Sequence, residues 1–121
     1  MVRVLVVDDS PVMLLAARLS LGRVPDWDVA TTPSGQDAVH FAASYQPDAI
    51  LLDVMMPRQD GRETLRALRE QPSTRHTPVV FVTSLKDHSG LTELGAASVI
   101  SKPFHLGELA DELRDVLGWP N

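Results

Sequence analysis

Asp48-Ala-Ile-Leu-Leu-Asp53-Val-Met-Met-Pro57 is the stretch that decides the fold. Ala49 to Leu52 run without a polar break and stop at a carboxylate. A short apolar run bounded by turn signals reads as a strand buried on both faces, the condition of a parallel sheet. Asp53 then falls where strand gives way to loop. In open α/β sheets, ligands bind at the carboxyl ends of the strands. An aspartate held there by a rigid strand can serve as ligand, base or nucleophile.

The same pattern recurs on either side. Val2-Arg-Val-Leu-Val-Val7 ends at Asp8-Asp9, Val79-Val-Phe-Val82 at Thr83-Ser84, and Ala97-Ser-Val-Ile-Ser101 at Lys102-Pro103. Trp27-Asp-Val-Ala-Thr31 gives a weaker strand signal. Helix signals lie between the strands. Ser10 suits a cap and Pro11 a first turn, with Val12, Leu15 and Leu19 at helical spacing and Gly22 as a stop. Ser34 caps a second helix, whose buried face is read as Ala38, Phe41 and Ala42, closed by Gln46-Pro47. Asp60-Gly61 precedes a third, with Leu65 and Leu68 inward and Pro72 at its end. A weakly signalled helix is expected over roughly 87–94, ended by Gly95. His105 to Leu117 reads as an amphipathic helix with Leu106, Leu109, Leu113 and Leu117 on one stripe. Five strands alternating with five helices predict a flavodoxin-like, doubly wound (βα)5 fold with a parallel sheet of order 2-1-3-4-5. That order brings the ends at Asp8-Asp9, Asp53, Thr83 and Lys102 to one crevice.

A length of 121 residues suits one domain, expected to span 1–121. The net charge of -5, with no Lys/Arg cluster, argues against a nucleic-acid surface. The chain has no cysteine, which excludes disulfides, thiol catalysis and thiolate metal sites and fits a cytoplasmic location. No apolar run approaches the roughly 18 residues of a membrane span. The N-terminus passes too quickly to Asp8-Asp9 to be a signal peptide.

Asp8, Asp9 and Asp53 close together repel unless a proton or cation intervenes. Hard oxygen ligands suit Mg²⁺. Thr83 adds a hydroxyl and Lys102 a mobile ammonium. Carboxylate, divalent metal, hydroxyl and ammonium together make a phosphoryl-transfer kit, in which the carboxylate attacks phosphorus. Each residue also has an ordinary reading. Asp9 could cap the first helix, and Lys102 alone is a solvated charge. The coincidence at four strand ends favours chemistry. Met55-Met56 is read as packing. His40, His76, His88 and His105 lack metal-ligand spacing, and Gly90 and Gly95 are backbone punctuation.

Val7-Asp8-Asp9-Ser10, Asp53-Val-Met-Met-Pro57 with Asp60-Gly61, Thr83-Ser84 and Lys102-Pro103-Phe104 together resemble the receiver domain of two-component response regulators. Gly95-Ala96 before the last strand fits too, and the resemblance spans nearly the whole chain. It implies Asp53 as phosphoacceptor from a histidine kinase, a phosphotransfer protein or a small phosphodonor. Mg²⁺ would be held by Asp8, Asp9, Asp53 and the Met55 backbone carbonyl. Thr83 would bond the aspartyl phosphate, and Lys102 would pair with the phosphate and, before that, with Asp53. A cis Lys102-Pro103 bond is also implied. Such a domain catalyses only its own phosphorylation and dephosphorylation. Output would pass through the 86–117 face to a downstream domain or protein, or to a second copy in a homodimer.

Three positions depart from the family pattern. Val99 stands where an aromatic residue usually reports the state of the threonine. Thr83 to Gly95 is about three residues short, so the fourth helix is expected to be short or unwound around Ser89-Gly90. Ser84 replaces the usual alanine. Met55, two residues past the phosphoacceptor, is placed to shield a phosphate from water.

Other classes fit less well. A receiver-like interaction module without phosphate turnover would not need the full set of site residues. An aspartyl-phosphate-forming phosphatase of the haloacid dehalogenase type would need Asp-x-Asp, whereas Asp8 and Asp9 are adjacent. A flavodoxin relative would need a Gly-rich phosphate loop. Trp119 is expected to pack back on the domain.

Overall fold

In the computed structural model, which describes residues 1–120, the strand that ends at Asp53 lies at the centre of the sheet. Asn121, the last residue of the expected domain, lies outside the described residues. Strand β1 is Val2–Val7, β2 Trp27–Thr32, β3 Ala49–Leu52, β4 Val79–Thr83 and β5 Ser98–Ser101. All pairings are parallel and the order is β2-β1-β3-β4-β5, as the sequence predicts. Successive side chains along a strand face opposite sides. Leu5, Val7, Ile50, Leu52 and Phe81 therefore enter one core layer, while Val4, Val6, Leu51, Val80 and Val82 enter the other.

Helices α1 (Pro11–Leu21) and α4 (Leu109–Leu117) close the second layer through Ala17, Leu21, Leu109 and Leu113. Helices α2 (Gly35–Tyr45) and α3 (Gly61–Glu70) close the first through Ala38, Ala42, Leu65 and Leu68. The expected caps are in place. Ser10 Oγ accepts from Met13 N and Ser34 Oγ from Asp37 N, and Asp60 and Glu63 form a reciprocal capping box. Among the described residues no helix is long and apolar enough to cross a membrane.

Several expectations about packing need correction. No α-helix forms over 87–94, so among the described residues four α-helices rather than five cover the sheet. The stretch keeps only a 3₁₀ turn, Thr92–Leu94. The cause is local. The Asp87 carboxylate accepts from Ser89 N and Ser89 Oγ, an alternative to helical bonding, and Gly90 takes φ +79°, outside helical space. The crossover is nonetheless anchored. Leu91 is fully buried, and Arg69 donates to the carbonyls of Thr74, Thr77 and Gly95.

Leu106 does not join the stripe of the last helix. It sits in a 3₁₀ turn, Leu106–Glu108, and is half exposed, with Gly107 weakening that turn as a helix start. Phe41 is also partly exposed, stacked on Tyr45 rather than buried with Ala38 and Ala42. Met56 packs but Met55 does not, being 58% exposed. Val12, Leu15 and Leu19 lie on α1 as their spacing predicts, yet they face solvent. The inward side of α1 is Ala17, Ser20 and Leu21. Trp119 does pack back, edge-on to Trp27 at 5.8 Å, with Arg114 over the Trp27 ring.

Candidate functional site

The strand registers bring the site together. Val7 is level with Leu52, Leu52 with Phe81, and Thr83 with Ser101. One more ladder bond fixes each following residue: Asp8 N donates to Thr32 O, Asp53 N to Val7 O and Lys102 N to Thr83 O. Asp8, Asp53, Thr83 and Lys102 are thus carried on hydrogen-bonded backbone, not on free loops.

One carboxylate oxygen from each of Asp8, Asp9 and Asp53 lies within 4.8 Å of the others. Asp8 and Asp53 are almost fully buried, while Asp9 is exposed and does not cap α1. Asp8 Oδ1 accepts from Ser10 N, and its Oδ2 accepts from Lys102 Nζ at 2.7 Å. Lys102 Nζ is 3.7 Å from Asp53 Oδ1, which also accepts a long bond from Met55 N at 3.4 Å. Burial raises the Asp53 pKa above the ordinary carboxylate value, and the Asp8 charge adds to this; Lys102 and the Met55 amide oppose it. Three carboxylates facing one ammonium leave a local deficit of positive charge. Clustered carboxylate oxygens at strand ends are the donor set a hard divalent cation takes.

Thr83 is fully buried, and its Oγ1 accepts from Leu85 N at 3.1 Å. Lys102-Pro103 is cis, as the resemblance implies. Val99 is half-buried on β5 and packs against the first core layer. His40, His76 and His105 are exposed, and His88 Nε2 donates to Leu85 O.

Beside the acids lies a feature the sequence reading missed. A cavity of about 440 Å³ opens between α1 and the segment after β5, lined by Val12, Met13, Ala16, Phe104 and Leu106, with Lys102 at its edge. Val12 and Leu106 in its lining are at least half exposed, and so are Leu15 and Leu19 elsewhere on α1. The signal was available: α1 is apolar on most of its circumference, and the face not packed on the sheet is left open.

Comparison with known proteins identifies this arrangement. Residues 4–114 match the family model described as response regulator receiver domain. The chain belongs to this family. The receiver domain is 40% identical over 120 residues to the transcriptional regulatory protein TrcR of Mycobacterium tuberculosis, covering 96% of this chain and 45% of that protein. Vibrio cholerae chemotaxis protein CheY4 superposes with a TM-score of 0.87 at 30% identity, covering 96% of this chain and 98% of that one. The receiver domain of sensor histidine kinase PA1611 from Pseudomonas aeruginosa superposes with a TM-score of 0.79 at 30% identity, covering 96% and 97%. That structure has a magnesium ion coordinated in its active-site cleft. The chain spans half or less of the length of the curated relatives it matches. It is a receiver-type signalling domain, and response regulators are among its curated relatives.

Proposed function

We propose that this receiver takes a phosphoryl group on Asp53 and signals through the 86–117 face. The observation that carries the reading is a buried, strand-held Asp53 carboxylate facing Asp8, Asp9 and the Lys102 ammonium in one cleft. A carboxylate oxygen of Asp53 attacks phosphorus as the bond from phosphorus to the donor breaks. With phosphohistidine as donor the leaving group is an imidazole nitrogen; with acetyl phosphate it is acetate. Mg²⁺ would be held by Asp8, Asp9, Asp53 and the Met55 backbone carbonyl. When bound, it neutralises charge on the phosphoryl oxygens.

The chain's own residues do the rest. Lys102 moves its ammonium from the carboxylates to a phosphoryl oxygen, a short travel for a flexible point charge. The Thr83 hydroxyl donates to the phosphate, and turning towards it releases Leu85 N. With Val99 in place of an aromatic reporter, that release is the route outward. It leads into a crossover that holds no α-helix, so its two arrangements differ by few hydrogen bonds.

The open apolar face of α1 beside the cleft supports a protein phosphodonor. A histidine kinase or phosphotransfer protein must dock close enough to present a histidine to Asp53, and Val12, Leu15, Leu19 and Leu106 offer it apolar contact. Output runs to a downstream domain or protein, or to a second copy across the 86–117 face. The cysteine-free composition supports a cytoplasmic setting.

Intact-mass measurement with acetyl phosphate, with and without Mg²⁺, tests the chemistry on wild type and Asp53→Asn. The expected result is one phosphoryl adduct, on wild type alone and only with Mg²⁺. A folded wild type that gains none from either acetyl phosphate or a phosphohistidine donor would overturn the reading.

A further inference from the structure

The peptide that follows Asp53 is held from behind by α3, and the contact depends on a missing side chain. Gly61 N donates to Val54 O at 2.9 Å. A Cβ added at Gly61 would land on the Asp53 carbonyl oxygen, 2.8 Å from Val54 Cα and 3.0 Å from the Asp53 carbonyl carbon. These are backbone atoms and cannot swing aside. In front, Asp53 N is tied to Val7 O. The backbone of Asp53 and Val54 is therefore held between β1, through Asp53 N, and the first turn of α3, through Val54 O.

Neither side of the clamp can yield cheaply. Leu65 and Leu68 fix α3 in the core and are fully buried. The same turn packs closely against the start of α2. Thr64 Oγ1 donates to Asp60 O and accepts from Gln59 Nε2. Gly35, at the start of α2, leaves room for that hydroxyl; a Cβ there would fall on Thr64 Oγ1 and 3.1 Å from Gln59 O. A methyl at Gly61 must then displace the segment in front, residues 53–55. That segment carries the Asp53 carboxylate and the Met55 amide that bonds it.

We propose that Gly61 is a positioning residue, whose bare Cα lets α3 serve as a backstop that aims the Asp53 carboxylate and the Met55 backbone into the cleft. The inference rests on the proposed role of this cleft in binding Mg²⁺ and accepting phosphate. Gly35 and Thr64 hold the backstop in place. Asp60 caps the helix and Gly61 sets its distance from the acid, which gives the Asp60-Gly61 pair two separate tasks.

The test compares wild type, Gly61→Ala and Gly107→Ala. Gly107 is the control, because a Cβ there meets nothing within 4 Å. Mg²⁺ affinity is read from backbone amide NMR shifts, phosphorylation by acetyl phosphate from intact mass, and folding from melting in Mg²⁺-free buffer. Gly61→Ala is expected to melt cooperatively yet lose about tenfold or more in Mg²⁺ affinity, the loss that about 1.4 kcal/mol of misplacement produces. Phosphorylation at sub-saturating Mg²⁺ should slow in parallel, and Gly107→Ala should match wild type. A folded Gly61→Ala with Mg²⁺ affinity within twofold of wild type overturns the proposal. If Gly61→Ala does not fold, hydrogen exchange on wild type decides. A Gly61 amide as slow as the core strands before Mg²⁺ is added supports a preformed backstop; one that slows only with Mg²⁺ overturns it. Wild type that neither binds Mg²⁺ nor takes a phosphoryl group would sink the reading of the cleft instead, so the two failures are distinguishable.

Discussion

Lys102 Nζ sits 2.7 Å from Asp8 Oδ2 but 3.7 Å from Asp53 Oδ1, so in this state the ammonium belongs first to Asp8. The resemblance implies Asp53 as its partner before phosphorylation; the geometry gives Asp53 the weaker share. The Asp8 side chain is only 3% exposed, and Lys102 is its counter-charge. Removing one member of such a pair leaves a buried charge uncompensated, which costs about 3–5 kcal/mol. Lys102→Ala is therefore expected to lose stability of that order in Mg²⁺-free buffer, measured by urea unfolding. Added Mg²⁺ should recover much of the loss, because a cation at the same carboxylates replaces the missing charge.

Asp53→Asn should move stability the other way. Burial, followed by the Asp8 charge, raises the pKa of Asp53 in the folded chain. A carboxyl with a raised folded pKa holds its proton more tightly when folded. Its ionisation cost is present in full above the raised pKa, and it disappears below the unfolded value of about 3.9. At neutral pH without Mg²⁺, Asp53→Asn is expected to melt a few degrees higher than wild type, a shift of the size about 1 kcal/mol produces. The advantage should shrink as pH falls through the raised pKa. A variant that melts lower than wild type at pH 7 would refute the electrostatic account of the site.

Leu15 separates docking from chemistry. It is 58% exposed on the outer face of α1 and touches none of the acids' hydrogen bonds. Leu15→Asp should leave acetyl phosphate labelling and melting near wild type. It should slow transfer from a phosphohistidine donor by tenfold or more, since a carboxylate desolvated in an apolar contact costs over 1 kcal/mol. Equal loss with both donors would show that α1 acts on the cleft rather than on the partner.

The crossover after β4 owes its hold to one side chain more than to secondary structure. Leu91 is fully buried although its neighbours Gly90 and Thr92 are exposed. Leu91→Ala is expected to cost about 2–5 kcal/mol. If the crossover is the element that phosphorylation releases, part of this loss should be local. Amides 85–95 should exchange faster in Leu91→Ala than the amides of β1 and β3.

These cases show what the sequence could and could not reveal. The buried strands were legible because continuous apolar runs ending in polar residues fit a two-sided parallel sheet, and the site was legible because its members sit at those ends. Pattern failed where two faces compete. Leu14 and Leu15 are adjacent on α1, and spacing alone does not say which faces the sheet. It failed again at 87–94, where Asp87 and Ser89 satisfy each other locally and a left-handed Gly90 breaks the turn. The close approach of Gly61 to Asp53 was unreadable for another reason. A glycine after an aspartate signals a turn, and only the packed helix reveals which backbone it must clear.

Met55 is the last position where geometry makes a measurable claim. Its backbone amide reaches Asp53 Oδ1 at 3.4 Å, which fixes the residue at the rim of the cleft. Its side chain is 58% exposed, so it contributes little to the core and is free to cover a group on Asp53. A thioether neither orients nor activates the water that must attack an aspartyl phosphate, and its apolar bulk keeps that water away. An asparagine offers a donor and an acceptor in the same place. Met55→Asn is therefore expected to shorten the phosphate half-life severalfold, followed by intact mass after the phosphodonor is removed. Stability should change by less than about 0.5 kcal/mol, as for an exposed site. An unchanged half-life in a folded variant would mean that water reaches the phosphate by a path Met55 does not cover.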